Sequence, residues 1–297
     1  MNYGYGNGEA AVLLGNGDGT FQPAVLYDSG GIDAYSVSVG DLRSDGNLDV
    51  VIANRFNDTE KTHLKGAVDV LLGNGDGTLQ PAVSYLAEGV AYASQPVIGV
   101  GINSLAISDV NGDGIPDLVV VEQCRNLQHY TYCTPPGQVN AMLGNGDGTF
   151  QKPVAYGSGG YYASGLAISD LNGDGRPDLV VTNACVGSCS GNGAVAVLLN
   201  ETSYTTKTAL SSSPNPSHVN QSVTFTASIS STPPVPNGEV VTFYNGKTRL
   251  GTGATANGIA SLTTSFSKAG TYTIKASYPG DAFRKKSSGT VKQVVNP

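Results

Sequence analysis

The sequence has no tryptophan and only three histidines, His63, His129 and His218, which stand far apart. It contains no H-E-x-x-H, no G-x-S-x-G and no phosphate-loop pattern, so neither a zinc-protease pair nor an activated serine is on offer. On that basis the chain reads as a non-enzyme. No stretch approaches the ~18 consecutive apolar residues of a membrane helix. A basic segment followed by an apolar one is missing from the N-terminus, where Met1 falls inside a repeat; a signal peptide is absent, and the chain is expected to begin downstream of a natural start. Charged residues make up 13% with a net charge of −7, and this acidic balance, without an aromatic-basic motif, excludes a nucleic-acid footprint. What is abundant is glycine, with 40 residues beside 15 prolines, as many short strands and turns require. A length of 297 residues predicts two domains.

One stretch recurs. L-A-I-S-D-L-N-G-D-G-R-P-D-L-V-V at 166–181 returns almost unchanged at 105–120 and more loosely at 37–52. Oxygen-bearing side chains occupy alternate positions of a tight loop. They are Asp109, Asn111, Asp113 and Asp117 in one copy, Asp170, Asn172, Asp174 and Asp178 in another. Calcium takes six to eight oxygens in a forgiving arrangement. Positions one, three, five and nine supply side-chain oxygen and position seven, Ile115 or Arg176, a main-chain carbonyl, while Gly114 and Gly175 permit the left-handed backbone that folds the ligands inward. An EF-hand opens the same way but needs flanking helices and a glutamate at position twelve; here position twelve is Val120 or Val181, and the β-branched flanks read as strands. The loop is therefore expected in a β-hairpin. The remaining copy keeps Asp41, Asp45 and Asp49, with Asn47 offering its carbonyl, but has Arg43 at position three. There the ion takes water in place of the lost ligand, or the arginine replaces the ion. Two calcium sites and a weaker third are expected.

A second motif repeats in phase with the first. L-G-N-G-D-G-T-[FL]-Q stands at 14–22, 72–80 and 143–151, and its Asn-Gly and Asp-Gly steps supply positive φ for a hairpin. With one carboxylate per loop, Asp18, Asp76 and Asp147 read as turn residues rather than ligands. Together the motifs make residues 1–201 resemble the FG-GAP or VCBS repeats of integrin-type β-propellers, whose blades carry a D-x-[DN]-x-D-G-x-x-D calcium loop. The resemblance implies an all-β fold, a partial propeller of about three to three and a half four-stranded blades. The chain opens on the last two strands of one blade, continues through two whole blades and ends on three strands of another. Propellers usually close with four to eight blades, so open edges are expected, and exposed edges recruit partners.

Four cysteines occupy one structural slot in two blades. Cys124 follows Asp117 by seven residues and Cys185 follows Asp178 by seven, while Cys133 and Cys189 each precede the next strand's valine, Val139 or Val195, by six. The expected disulfides are Cys124–Cys133 and Cys185–Cys189, which imply an oxidising compartment; the spacing is not that of a zinc knuckle. Asn57, Asn200 and Asn220 lie in N-x-[ST] sequons, which matter only in a glycosylating host.

Residues 202–206 read as a linker. Beyond them the pattern changes to alternating strands, Val223, Phe225, Ala227 and Ile229 and then Tyr272, Ile274, Ala276 and Tyr278. With S-V-T-F-T-A, V-T-F-Y and Y-P-G-D, residues 207–297 resemble bacterial Ig-like repeats of surface proteins, which implies a β-sandwich. Charge divides along the same line. Residues 1–206 hold 7 basic against 21 acidic residues, or −14, and 207–297 hold 9 against 2, or +7. Arg284, Lys285 and Lys286 form the densest basic run, which reads as a solvated turn or as a contact for an anionic polymer.

The expected function is an extracellular or cell-surface, calcium-stabilised adhesion module of a bacterial protein, binding protein or glycan through propeller loops, with no nucleic acid and no membrane span. Tyr130, Tyr132, Tyr161 and Tyr162 are candidates for a sugar-stacking groove or for loop packing. The alternative is a structural repeat protein whose open edges other chains complete, as a homo-oligomer. A third reading is a non-catalytic accessory region of a polysaccharide-degrading enzyme.

Overall fold

The structure is a computed structural model and describes residues 7–56, 66–86, 98–126, 137–185 and 192–297. The described residues contain strands and no helix, and the chain divides into two compact units, Met1–Val110, Ile115–Gly173 and Pro177–Asn200 in the first and Asn111–Gly114, Asp174–Arg176 and Glu201–Pro297 in the second.

The first unit is built of three antiparallel sheets. Strands β1 (Asn7–Val12), β2 (Val25–Gly40), β3 (Asp49–Phe56), β4 (Ala67–Leu71) and β5 (Val83–Leu86) pair in chain order, as do β6 (Ile98–Ser108), β7 (Asp117–Asn126), β8 (Gln138–Met142) and β9 (Val154–Gly157) in the second sheet. The third sheet is β10 (Tyr161–Ser169), β11 (Asp178–Cys185) and β12 (Ala194–Leu198). The four-stranded and three-stranded sheets match the expected succession of strands. The opening differs: the two strands expected to close a separate blade join the first sheet. Ile32 pairs with Asn7 on one side and Phe56 on the other, so β2 runs unbroken for 16 residues and fuses what the repeat pattern divides. At the equivalent Ser158-Gly159-Gly160 the chain does break, between β9 and β10.

The apolar runs after each acidic loop have a plain cause. Leu118 and Val120 of β7 pack toward the first sheet, with Val51, Ala53, Val68 and Val70. Val119 and Val121, pointing the other way, pack toward the third, with Ala163 and Val181. A strand covered on both faces is hydrophobic without alternation, and all four residues are fully buried. At the two ends the equivalent positions are bare. Val37 and Val39, counterparts of Leu105 and Ile107, are 61% and 54% exposed, and Val195 and Val197, counterparts of Val139 and Ala141, are 66% and 53% exposed. Each sheet also carries a β-bulge at one place, between Ala34 and Ser36, Ile102 and Ser104, and Ala163 and Gly165. Bulges re-aim a side chain; at the second, Asn103 is turned to donate to the Ala163 carbonyl in the next sheet at 2.9 Å.

The second unit is a two-sheet sandwich. Its strands are β13 (Lys207–Ser213), β14 (Ser217–His218), β15 (Ser222–Ser230), β16 (Val240–Asn245), β17 (Thr248–Ala254), β18 (Ile259–Ser265), β19 (Gly270–Tyr278) and β20 (Ser287–Asn296). One sheet orders β13-β15-β18 and the other β14-β20-β19-β16-β17. The alternating residues Val223, Phe225, Ala227 and Ile229 meet Val241, Phe243, Ile274, Ala276 and Tyr278 between the sheets. The expected linker is structured in part, because Tyr204 donates to the Phe283 carbonyl and accepts from the Lys285 N–H. The basic run divides as well. Lys285 and Lys286 are exposed, but Arg284 is buried, its guanidinium on Asp281 at 3.2 Å and on the Pro234 carbonyl at 2.7 Å, so it is no surface for a polymer.

Candidate functional site: three acidic loops

Each D-x-x-x-x-G-x-x-D segment forms the connection between two antiparallel strands, β2–β3, β6–β7 and β10–β11, as the β-branched flanks require. The residue at position nine makes the same two main-chain contacts in all three loops. Asp49, Asp117 and Asp178 are fully buried. One carboxylate oxygen accepts the N–H of position two, from Leu42, Val110 and Leu171 at 2.9–3.0 Å. The other reaches forward, in the first two loops to the second motif, where it accepts the N–H of Gly73 or Gly144, and in the third to Asn200 just after β12, each at 2.8 Å. In the first two loops this second bond ties the loop to the hairpin that follows. The sequence shows both motifs but not this link. Its only trace is that they recur in phase.

The same closeness explains the first glycine of L-G-N-G-D-G-T. A Cβ on Gly73 would overlap the carbonyl oxygen of Leu48, and one on Gly144 that of Pro116. The rest of the motif is a turn, as its residues predict. Asp18, Asp76 and Asp147 accept the Thr20, Thr78 or Thr149 N–H at 2.9 Å and the hydroxyl of the same threonine at 2.5–2.6 Å. These bonds, the hydroxyl first, hold each carboxyl below the usual range.

The other ligand candidates differ between loops. In the first, Asp41 accepts main-chain N–H groups from Arg43, Asp45 and Gly46 at 2.8–3.3 Å, and the Gly46 bond chiefly lowers its pKa. Asp45 accepts the Asn47 N–H at 2.9 Å. Arg43 lies among them, bridging Asp45 at 3.0 Å, Asp49 at 3.0 Å and the Gly73 carbonyl at 2.9 Å. In the second loop, Asn111 and Asp113 bond each other, amide to carboxylate and N–H to amide oxygen, both at 2.9 Å. In the third, Asp170 accepts the Gly173 N–H at 2.8 Å, and the Arg176 side chain folds back onto Asp174, Nε to Oδ2 at 3.1 Å. The expected contribution of Arg176 was its carbonyl; its guanidinium is also engaged. Among the described residues no group of three or more His, Cys, Asp and Glu stands in a metal-holding arrangement. Calcium would draw on the amide oxygens of Asn111 and Asn172 and the carbonyls of Ile115 and Arg176 as well as on the carboxylates, a donor set made wholly of hard oxygen.

A second polar cluster lies inside the first sheet, outside every sequence expectation. Asn54 donates to the Ser29 carbonyl at 2.9 Å and to Asp69 at 2.6 Å, while the Ser29 hydroxyl donates to Asn54 at 2.8 Å. Ser84 donates to Asp69 as well. Burial raises the Asp69 pKa despite these donors. The third sheet repeats the Ser–Asn half of this pattern with Ser158 and Asn183, at 2.7 and 2.8 Å. Matched S-G-G triplets at 29–31 and 158–160 were the available signal.

Of the cysteines, Cys185 is buried and disulfide-bonded; Cys133, Cys189 and the Cys124 side chain lie outside the described residues. Tyr130 and Tyr132 also lie outside them, whereas Tyr161 and Tyr162 are half-buried at the start of β10. Asn200 is held by its side chain, which donates to the Val110 carbonyl at 2.8 Å.

Comparison with known families accounts for both halves of the chain. A model of the FG-GAP-like repeat matches residues 3–52 and 109–181, and one of the bacterial Ig-like domain (group 3) matches 210–296. The chain carries FG-GAP-like repeats followed by a bacterial Ig-like domain. This FG-GAP and Ig-like chain is 28% identical over 185 residues, 59% of its length, to phosphatidylinositol-glycan-specific phospholipase D of Bos taurus, and spans 22% of that protein. Among solved structures it is similar to one addressing Dscam isoform specificity, at 11% identity and a TM-score of 0.26, covering 80% of this chain and 56% of that one. It is also similar to the full ectodomain of mouse nectin-like molecule 4 (Ig1–Ig3), at 16% identity and a TM-score of 0.23, covering 89% and 97%. No helix among the described residues is long and apolar enough to cross a membrane.

Proposed function

We propose that this chain is a non-catalytic, extracellular adhesion or recognition module whose FG-GAP-like sheets are propeller blades, rigidified by calcium and binding protein or glycan through their loops. The observation that carries the reading is the position-nine carboxylate, which joins the first and second acidic loops to the hairpin after each and the third to Asn200 beyond β12. An ion held by Asp109, Asn111, Asp113, Asp117 and the Ile115 carbonyl, or by Asp170, Asn172, Asp174, Asp178 and the Arg176 carbonyl, supplies positive charge among these acids. In the third loop it takes Asp174 from the Arg176 guanidinium. These residues then hold the strand ends, and at the second loop the following hairpin, in one geometry. At an extracellular-type dissociation constant of about 0.1 mM and ~1 mM calcium, each site stabilises by roughly 1.4 kcal/mol. Cys185–Cys189 and Cys124–Cys133 are the proposed staples of the neighbouring loops. The test measures melting temperature and binding to immobilised glycans and surface proteins, in millimolar calcium and in chelator. A melting temperature indifferent to chelation defeats the calcium reading, and binding that survives chelation defeats its coupling to recognition.

A second reading is favoured by the bare ends of the first unit. Val37 and Val39, and Val195 and Val197, are exposed where their repeat counterparts are covered, as open edges completed by other chains require. Light scattering tests it: a defined multiple of 30.3 kDa supports assembly, and a single chain's mass at every concentration rejects it.

A further inference from the structure

The first acidic loop does not fit the ion that its repeat pattern implies, and we infer that the Arg43 guanidinium takes the ion's place there, making that loop a calcium-free latch beside two calcium-dependent ones. The inference extends the proposed calcium reading to loop-by-loop selectivity. It stands on how the loop's oxygens are already used. Asp41 accepts three main-chain N–H groups, from Arg43, Asp45 and Gly46. Asp49 is buried and accepts from Leu42 N, Gly73 N and Arg43 Nη2. Asp45 accepts from Asn47 N at one oxygen and faces Arg43 Nη1 with the other.

The guanidinium thus contacts oxygens of the kind a hard cation would gather: two carboxylates and a main-chain carbonyl, Gly73, which belongs to the following hairpin. It is a fixed, always protonated cation with donors in a planar fork, and it is tethered. A calcium ion entering the loop would have to expel it from between Asp45 and Asp49 and leave the charge without its partners. Position three holds Asn111 and Asn172 in the other loops, where a neutral amide adds an oxygen and no charge. Arg176 in the third loop is different, because it stands at position seven and pairs with Asp174 alone among the loop carboxylates, leaving Asp178 to its main-chain donors.

The test uses the full chain and calcium itself. In the variant carrying Asp113→Asn and Asp174→Asn, which weakens the second and third loops, calorimetric titration with calcium chloride should show no ion bound, and amide exchange of residues 42–48 should not respond to chelator. Adding Arg43→Asn should produce one calcium per chain and a chelator-sensitive first loop. An ion bound by the double variant with Arg43 intact, together with a chelator response in residues 42–48, would overturn the inference, and so would failure of Arg43→Asn to gain an ion when its circular dichroism shows it folded. Failure of the wider calcium reading looks different: neither the unaltered chain nor Arg43→Asn would then bind calcium, whereas failure of the inference alone leaves calcium bound by the unaltered chain.

Discussion

The buried carboxylate of Asp117 accepts the main-chain N–H of Gly144, 27 residues further on, at 2.8 Å, while its other oxygen accepts the N–H of Val110. One side chain therefore closes its own loop and holds the next hairpin in place. Asp117→Ala strands two N–H groups in the interior, and bonds to an ionised acceptor contribute about 1.5–3 kcal/mol each. A loss of roughly 3 kcal/mol or more is expected, read as a lower urea midpoint in calcium-free buffer. Asp117→Asn keeps one acceptor oxygen and should lose about half as much.

Gly15, Gly73 and Gly144 are equivalent in sequence but not in surroundings. A Cβ on Gly73 or Gly144 strikes a main-chain carbonyl of the preceding loop, whereas on Gly15 its nearest neighbour is the rim of Phe21 at 4.0 Å. Gly73→Ala and Gly144→Ala should each cost several kcal/mol through displaced backbone, and Gly15→Ala should stay within about 0.5 kcal/mol. Thermal melts of the three variants make the comparison. Equal losses at all three sites would contradict this account.

Asp69 should shape the pH dependence of stability. Burial raises its folded-state pKa above the unfolded value, so the folded state holds the proton more tightly. Its contribution to stability is highest below the unfolded carboxylate range and declines as pH rises through the folded value. Asp69→Asn should flatten this decline above pH 4 and leave neutral-pH stability equal or higher, with Ser84 turning its hydroxyl to accept from the new amide. The second sheet already has Asn140 at this place. Denaturant midpoints measured from pH 4 to 8 decide it, and an unchanged slope would count against the assignment.

Arg284 is an internal residue of the Ig-like unit. With its partner Asp281 also capping the N–H groups of Phe283 and Arg284 and accepting from the Tyr278 hydroxyl, Arg284→Ala should destabilise that unit by about 3 kcal/mol, as loss of one member of a buried pair does. Binding to a polyanion should weaken with Lys285→Ala or Lys286→Ala instead, seen as a shifted salt midpoint on an anionic column.

The Ig-like sandwich was the more legible half, because one face of each strand is wet and the alternation of Val223, Phe225, Ala227 and Ile229 records it directly. In the first unit the repeats announced loops, hairpins and their succession. The turn role of Asp18, Asp76 and Asp147 also followed from residue type, since each was the lone carboxylate of a loop with Asn-Gly and Asp-Gly steps. Three features were not readable. The long-range bonds of Asp49, Asp117 and Asp178 join segments that only folding brings together. The fused β2 depends on Ile32 being paired on both sides. The Ser29, Asn54 and Asp69 cluster is a set of polar residues inside apolar strands, where a one-dimensional pattern gives no partner. Arg43 lay between: its position marked the loop as exceptional, and the two outcomes it allowed could be separated only by where the guanidinium points.

Because β7 is covered on both sides, Leu118-Val119-Val120-Val121 would bury equally well if the strand slid by one residue, and the usual penalty for turning an apolar face to water does not police its alignment. The frame must be written at its margins, in the bulge at Asn103 and in Asp117, whose two bonds can be made from only one position. The middles of such strands should then be interchangeable parts, open to exchange among Val, Ile and Leu between repeats. The single acid at the mouth of each strand is what keeps its count.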